Sequence, residues 1–299
     1  MATKRVGFIG LGDMGMGMAR NLLAAGFPLT GLDLRPERMS MLEEAGGKSA
    51  ASAADVGRAS DTVFIMVMNG QQVMDLLQGE DGLLAGMAPG GAIIVTATIE
   101  AREMREAAAL LEGSGLGLID SPVSGGRSGA DGGTLTLMAA GAGDVFAAQQ
   151  DVLAAVGEKI FHVGEEPGMG QTVKACLQSF IGLTFVAIFE SLALGASADV
   201  PGQVLFDVIS NTAAGSSPFY RENAELVLER RFVDTGSQIG TMTKDLGISM
   251  ALGRETGAPL FATAAAWELF KAGISRFPDE GNTSVVKILE SISGVEVQR

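Results

Sequence analysis

The chain has 299 residues, of which 47% are hydrophobic and 19% are charged. A chain of this length and composition can fill two hydrophobic cores, so we expect a globular protein of two domains. Its formal net charge of −14 disfavours a nucleic acid as partner, because the phosphate backbone requires a basic surface.

Neither a membrane span nor a secretion signal is predicted. The uncharged run 175–189 is shorter than the roughly 18 residues that argue for a span, and Asp13 interrupts the apolar N-terminal segment. We therefore predict a cytoplasmic protein that binds no membrane. Cys176 is the only cysteine and His162 the only histidine, so an internal disulfide is excluded and no metal site is predicted. The apolar neighbours of Cys176 predict a packed thiol.

The N-terminal segment has the pattern of a dinucleotide-binding unit. An apolar run at residues 6–9 predicts a strand, a glycine-rich turn follows it, and a helix is predicted to about Ala25. A second strand, residues 29–32, ends at Asp33, which lies 18 positions after Gly15. Strand, turn, helix and acid together make the glycine pattern specific. The residues predicted to bind the cofactor here are Gly10, Leu11, Gly12, Asp13, Met14, Gly15 and Asp33.

Three glycines have distinct physical roles in this turn. Gly10 lets the chain turn sharply, Gly12 lets the backbone approach a pyrophosphate, and Gly15 lets the helix pack against the strand. The helix N-terminus then faces the anion. Asp33 would accept hydrogen bonds from the ribose hydroxyls and repel a 2′-phosphate, whereas Arg35 could attract that phosphate. We predict NAD rather than NADP, because the acid ends the strand itself.

Alternating strands and helices continue to about residue 163, which predicts a doubly wound, mostly parallel sheet. Ligands bind such sheets at the carboxyl ends of the strands. This edge should hold Asp33, Met68, Asn69, Thr98 and the loop at Ser124. The predicted strands after the second one cover residues 62–68, 91–95, 116–119, 135–140 and 159–163.

After about Pro167 the pattern becomes helical only, and we predict a domain boundary near Glu165. The fold class is α/β: an N-terminal Rossmann-type NAD-binding domain at 1–165, and an all-α domain at 166–299 that closes over the substrate and forms oligomers. A long interdomain helix, 168–199, joins them and is apolar on most sides. Lys174 lies at its start, and a buried ammonium group is costly. The lysine either extends to solvent from the helix end or serves chemistry.

Four motifs occur in a fixed order: GFIGLGDMGMGMA, DSPVSGG from Asp120, GQTVKACLQ from Gly170 and TKDL from Thr243. Together they resemble the β-hydroxyacid dehydrogenase family, which includes 3-hydroxyisobutyrate dehydrogenases, over essentially the whole chain. The resemblance implies a homodimer or homotetramer that acts on a small hydroxy acid. It also implies a catalytic role for Lys174, which would take the hydroxyl proton while hydride passes to the nicotinamide.

Further site residues follow from the same resemblance. Ser124, Gly125 and Gly126 match the loop that grips the substrate carboxylate, and Arg127 is either a second anchor or a solvated arginine. Thr98 and Lys244 match positions that contact the cofactor. Gln178 stands where most members have an asparagine that orients the substrate, and four residues after Lys174 it shares one helix face with it. Asp245 either pairs with Lys244 or caps a helix.

The glutamine favours the sugar-acid branch of the family, which predicts oxidation of the C2 hydroxyl of L-threonate in carbohydrate metabolism. The alternatives are a 3-hydroxyisobutyrate dehydrogenase or a tartronate semialdehyde or succinic semialdehyde reductase. From other classes, imine reductases and a non-catalytic NAD-binding scaffold are both disfavoured by Lys174, which they would be expected to lack.

Overall fold

The computed structural model describes residues 3–299, which divide into two compact units. The first unit ends at Lys174 and the second begins at Ala175. A Rossmann-type sheet with helices forms the first and helices alone form the described second, so the predicted fold class is confirmed. Helix α10, Met169–Ser197, begins in the first unit and continues into the second.

Within its described residues the first unit contains a nine-stranded sheet. The strands are β1 (Val6–Ile9), β2 (Leu29–Leu32), β3 (Lys48–Ser49), β4 (Thr62–Ile65), β5 (Ala92–Val95), β6 (Gly117–Asp120), β7 (Val123–Ser124), β8 (Leu135–Ala140) and β9 (Gly157–Gly164). The helices are α1 (Asp13–Ala24), α2 (Pro36–Glu44), α3 (Ala53–Arg58), α4 (Gly70–Leu77), α5 (Leu83–Gly86), α6 (Ala101–Leu111), α7 (Gly126–Gly132), α8 (Gly143–Ala148) and α9 (Gln150–Val156).

The order of the strands is β3-β2-β1-β4-β5-β6-β8-β7, with β9 beside β8. Strands β1 to β6 pair in parallel, β8 pairs antiparallel with β6 and β7, and β9 pairs in parallel with β8. The chain turns first toward β2 and then crosses to β4 on the other side of β1. The strand order therefore reverses at β1, where doubly wound sheets bind their ligands.

Both faces of this sheet are buried, which explains the continuous apolar strands. Phe8 and Phe64 point to one face, where their rings stack at 5.7 Å against a core that includes Leu22 of α1. Their neighbours Ile9 and Ile65 point to the other face. The alternation follows from the two-residue period of a strand.

The strand β4 and the loop at Ser124 differ from the sequence prediction. Strand β4 ends at Ile65, so the predicted strand 62–68 is too long; Met68 beyond it is 60% exposed. An apolar run cannot show where pairing stops. The loop at Ser124 contains the short strand β7 and the helix α7, which is packed closely on α1. A Cβ added to Gly17 of α1 would lie 2.7 Å from the backbone of Ala130.

The second unit packs its helices around a core that includes Phe185, Phe189 and Phe270. By length and composition α10 could cross a membrane, a property that apolar core helices of soluble proteins share. Gly182 of α10 allows close packing on Leu246, whose side chain would lie 2.6 Å from an added Cβ. The remaining helices are α11 (Gly202–Ser210), α12 (Pro218–Leu228), α13 (Ile239–Thr256), α14 (Phe261–Arg276), a 3₁₀ turn (Asn282–Val285) and α15 (Val286–Ser293).

Candidate active site

The glycine turn after β1 has the geometry that a dinucleotide requires. Gly10 has φ +93°, and a Cβ there would lie 2.1 Å from the carbonyl oxygen of Met66. A Cβ on Gly15 would lie 1.9 Å from the carbonyl oxygen of Gly10, so neither position tolerates a side chain. Gly12 caps α1 without a side-chain hydrogen bond, and around it only Arg35 comes within 4 Å of an added Cβ. These residues therefore fit a pyrophosphate at the helix N-terminus.

Asp33 lies at the end of β2 and is tied to this turn. One carboxylate oxygen accepts a hydrogen bond from the backbone N–H of Leu11 at 2.7 Å, and the other accepts from the backbone N–H and Nε of Arg35. Burial acts to raise the pKa of Asp33, but these hydrogen bonds outweigh it and hold the pKa below its ordinary value. Asp13, in the first turn of α1, pairs with Arg38 at 2.8 Å.

The other predicted cofactor residues of this unit also follow strand ends. Met68 and Asn69 come after β4, and Thr98 comes after β5. Asn69 has a structural role as well, because its side chain caps α4 by accepting a hydrogen bond from the backbone N–H of Gln72 at 2.9 Å. Since β1, β2, β4 and β5 are neighbouring parallel strands, these residues lie along one edge of the sheet.

The DSPVSGG segment passes from β7 into α7 through two glycines that no other residue type would replace easily. Gly125 has φ +136° and Gly126 has φ +60°, both in the region that favours glycine. Ser124 pairs with Thr136 of β8, which fixes the segment to the sheet. Arg127 is exposed and lies 3.7 Å from Asp131, one turn further along α7.

Lys174 is 6% exposed and its side chain returns to this segment. Its Nζ donates a hydrogen bond to the carbonyl oxygen of Val123 at 2.8 Å. The lysine therefore does not extend to solvent from the helix end, which was one of the two interpretations. The first unit brings its amine together with the residue that precedes Ser124.

Asp120 and Gln171 form a buried hydrogen-bond network, next to the candidate site residues, that the sequence reasoning missed. The Asp120 carboxylate accepts hydrogen bonds from the backbone N–H groups of Gly168 and Gln171 and, at 2.8 Å, from the side-chain amide of Gln171. Gln171 also donates to Ala97 O and accepts from the backbone N–H of Ile99, both at 3.0 Å. The glutamine thus joins the loop that carries Thr98 to the helix that carries Lys174.

Burial raises the pKa of Asp120 to about 6, although the hydrogen bonds from Gln171 and Gly168 oppose this rise. The start of α10 is pressed against the same residue: a Cβ on Gly170 would lie 2.5 Å from the carbonyl oxygen of Asp120. Both polar residues belong to the recognised motifs, yet a motif does not reveal that they bond each other. Only their burial at 1% exposure each makes the network strong.

The second unit holds Gln178 and Lys244 through one carboxylate. Asp245, 3% exposed, accepts a hydrogen bond from Nε2 of Gln178 at 2.5 Å with its Oδ2. Its Oδ1 is buried and accepts no hydrogen bond, although Nζ of Lys244 lies 3.2 Å away, so this contact is an ion pair. Helix α13 begins at Ile239. The ion-pair interpretation of Asp245 is therefore correct, and the helix-cap interpretation is wrong.

The thiol of Cys176 is exposed, contrary to the prediction of a packed thiol. The apolar sequence around it misled because one side of α10 is uncovered. Phe180 and Leu194 are 68% and 73% exposed, and Ala187 between them is exposed too. These three residues recur every seven positions and form a stripe along the helix.

Two family models match the chain. Residues 5–164 match the NAD-binding domain of 6-phosphogluconate dehydrogenase, and residues 168–289 match a domain described as the NAD-binding domain of NADP-dependent 3-hydroxyisobutyrate dehydrogenase. Among curated proteins, the L-threonate dehydrogenase of Cupriavidus necator is 35% identical over 97% of both chains.

Solved structures agree with these matches. A 3-hydroxyisobutyrate dehydrogenase from Salmonella typhimurium is 33% identical, with a TM-score of 0.84 over 95% of this chain and 99% of that one. A Mycobacterium tuberculosis protein of the same name, whose structure includes L-serine, is 29% identical, with a TM-score of 0.88 over 96% of this chain and 99% of that one.

Proposed function

This chain belongs to the 3-hydroxyisobutyrate dehydrogenase family of oxidoreductases, and on that premise we propose that it oxidises the C2 hydroxyl of L-threonate. A related four-carbon sugar acid would react in the same way, giving the 2-oxo acid. The observation that carries the proposal is the buried amine of Lys174, held 2.8 Å from the carbonyl oxygen of Val123 beside the Ser124 loop.

Each residue then has a chemical task. Backbone N–H groups of the loop at Ser124, Gly125 and Gly126 would bind the substrate carboxylate, with Arg127 available as a second anchor. The amine of Lys174 would accept the proton of the hydroxyl as general base. The bound nicotinamide cofactor would supply the acceptor for the hydride. Val123 O orients the amine by accepting one of its N–H bonds.

The choice of substrate is supported by the L-threonate dehydrogenase relatives, which are 33–35% identical to this chain, and by Gln178 in place of asparagine. The alternative is a 3-hydroxyisobutyrate dehydrogenase, which the names of the solved structures favour, or a tartronate semialdehyde or succinic semialdehyde reductase. A non-catalytic scaffold is disfavoured because it would not need a buried lysine.

The decisive experiment measures formation of reduced nicotinamide with purified protein. The panel contains L- and D-threonate, both erythronates, D-glycerate, 3-hydroxyisobutyrate and 3-hydroxypropionate, each with NAD and with NADP. We expect selective turnover of a four-carbon sugar acid. Turnover of only the 3-hydroxy acids would move the protein to the alternative, and none at all with tight cofactor binding would favour the scaffold.

We propose NAD as the cofactor, with NADP weaker, because the carboxylate of Asp33 would repel a 2′-phosphate. Asp33→Ala should lower the ratio of kcat/KM with NAD to that with NADP by about tenfold or more, since it also frees Arg35 to meet the phosphate. Asp144→Ala, an exposed aspartate in α8, is the matched control. An unchanged ratio in Asp33→Ala would remove Asp33 from the ribose site.

We also propose that residues 1–165 bind the dinucleotide and that 166–299 close over the substrate and form a homodimer or homotetramer. The stripe of Phe180, Ala187 and Leu194 supports self-association, because apolar residues at seven-residue spacing are typical of helix–helix contacts. The molar mass in solution should be two or four times 30.7 kDa. A single-chain mass at micromolar concentration would contradict this. We infer a cytoplasmic location, which cell fractionation tests.

A further inference from the structure

We propose that Asp245 is a positioning residue that turns the amide of Gln178 so that its carbonyl oxygen, Oε1, accepts a hydrogen bond from a substrate hydroxyl. This hydroxyl is a second one, on the carbon next to the oxidised carbon. The inference builds on the proposed function, because it concerns the substrate of the same site. It predicts which chemical group the ligand must present to Gln178.

The hydrogen bond between the two side chains has only one possible direction. A carboxylate has only acceptor atoms, whereas an amide has a donor side and an acceptor side. The short contact of 2.5 Å from Gln178 to Oδ2 of Asp245 therefore involves the Nε2 donor. Rotating the amide by half a turn would place two oxygens in contact within a buried site, which is strongly unfavourable.

Asp245 is itself held in place. It is 3% exposed, lies within α13, and has the ammonium of Lys244 3.2 Å from its other oxygen. The backbone carbonyl of Asp245 accepts a hydrogen bond from Ser249 Oγ, which also donates to Ala175 O of α10 at 2.8 Å. The two helices are thus bonded one turn beyond the carboxylate, so the Gln178 amide has little freedom.

The orientation of the Gln178 amide determines which of its polar groups a ligand can contact. With one N–H of Nε2 directed to Asp245, the amide keeps its acceptor Oε1 and its second N–H for a ligand. A hydroxyl can donate to Oε1, whereas a methyl or methylene cannot and would leave the amide oxygen of Gln178, a residue only 6% exposed, without that partner. Polar sites of this kind reject analogues that lack the donor more strongly than apolar pockets reject a hydroxyl.

The position of Gln178 along α10 relates it to Lys174. Gln178 follows Lys174 by four residues on one continuous helix, and such pairs have Cβ atoms about 5–6 Å apart. A substrate whose C2 hydroxyl meets the lysine would therefore bring the adjacent C3 hydroxyl toward the glutamine. The substrate class that results is a 2,3-dihydroxy acid.

The test compares L-threonate with its 3-deoxy analogue, 2,4-dihydroxybutanoate. We expect wild type to prefer L-threonate by tenfold or more in kcat/KM. Asp245→Asn should lower kcat/KM for L-threonate about tenfold and change that for the analogue less than about threefold, because asparagine accepts either orientation of Gln178. In a Gln178→Ala background the preference should vanish, and Asp245→Asn should have no further effect on it.

Ser249→Ala is the control, since it removes a hydrogen bond between the same two helices and keeps the carboxylate. The side-chain amide signal of Gln178 in ¹H–¹⁵N spectra, identified by its loss in Gln178→Ala, reports the orientation without turnover. It should shift in Asp245→Asn and stay in place in Ser249→Ala.

Equal losses for both substrates, or an amide signal that Asp245→Asn leaves unmoved, would overturn the inference. Failure of the proposed function has a different signature. In that case wild type oxidises no hydroxy acid at all, and the amide signal alone decides whether Asp245 orients Gln178.

Discussion

Alanine in place of Lys174 should lower kcat by about a hundredfold or more and leave the affinity for the dinucleotide within about threefold of wild type. The loss would follow from removing the proposed general base, since such a base typically contributes this much to catalysis. The cofactor affinity should survive because the glycine turn and Asp33 belong to β1, α1 and β2, whereas the lysine amine bonds Val123 of β7. Steady-state kinetics and a fluorescence titration with the reduced cofactor measure the two quantities.

Lys159→Ala serves as the control, because Lys159 lies exposed on β9. It should reproduce wild type in both measurements. If Lys174→Ala weakened cofactor binding as much as it slowed turnover, the lysine would have a structural role and the proposed chemistry would need another base.

Leucine in place of Gln171 should lower the free energy of unfolding by roughly 3 kcal/mol or more. Three buried groups lose their partner at once: the carbonyl of Ala97, the N–H of Ile99 and one oxygen of Asp120. Each unsatisfied group costs about 1–3 kcal/mol. Activity should fall as well, because the loop at Thr98 is no longer tied to α10. Urea unfolding measures the stability, and Gln150→Leu, at an exposed position of α9, should change it by less than about 0.5 kcal/mol.

The conservative variant Gln171→Glu gives this network a pH dependence. It places a second carboxyl beside Asp120, whose pKa burial already raises to about 6. Two adjacent carboxyls share one proton, so the pair titrates above its unfolded values. Relative to wild type, the variant should be most stable at low pH and lose stability as the pH rises through 6 and above. A difference in unfolding free energy that stays constant from pH 5 to 8 would contradict the side-chain contact.

Much of the fold could be predicted because its signals are local. The strand, glycine turn, helix and acid from Val6 to Asp33 follow one another within a single supersecondary unit. Positions 10 and 15 require glycine, since a Cβ at either would overlap a carbonyl oxygen. The change from alternating to purely helical pattern likewise divided the chain into two kinds of structure.

Local sequence patterns are least informative where contacts join distant parts of the chain. Nothing in the local pattern shows that the apolar run at residues 62–68 stops pairing at Ile65, because register depends on the neighbouring strand. Cys176 was predicted to be packed, and only the arrangement of neighbouring helices leaves its side of α10 uncovered.

The sequence by itself determined the fold class and the family, and it predicted Lys174, Gln178 and the glycine turn as site residues, because these depend on residue type and spacing along the chain. Tertiary structure decided what each polar group bonds to. Val123 lies 51 positions from Lys174, Asp120 lies 51 from Gln171, and Asp245 lies 67 from Gln178. Partners so far apart meet only when strands and helices pack, and burial then makes each bond strong enough to orient the side chains.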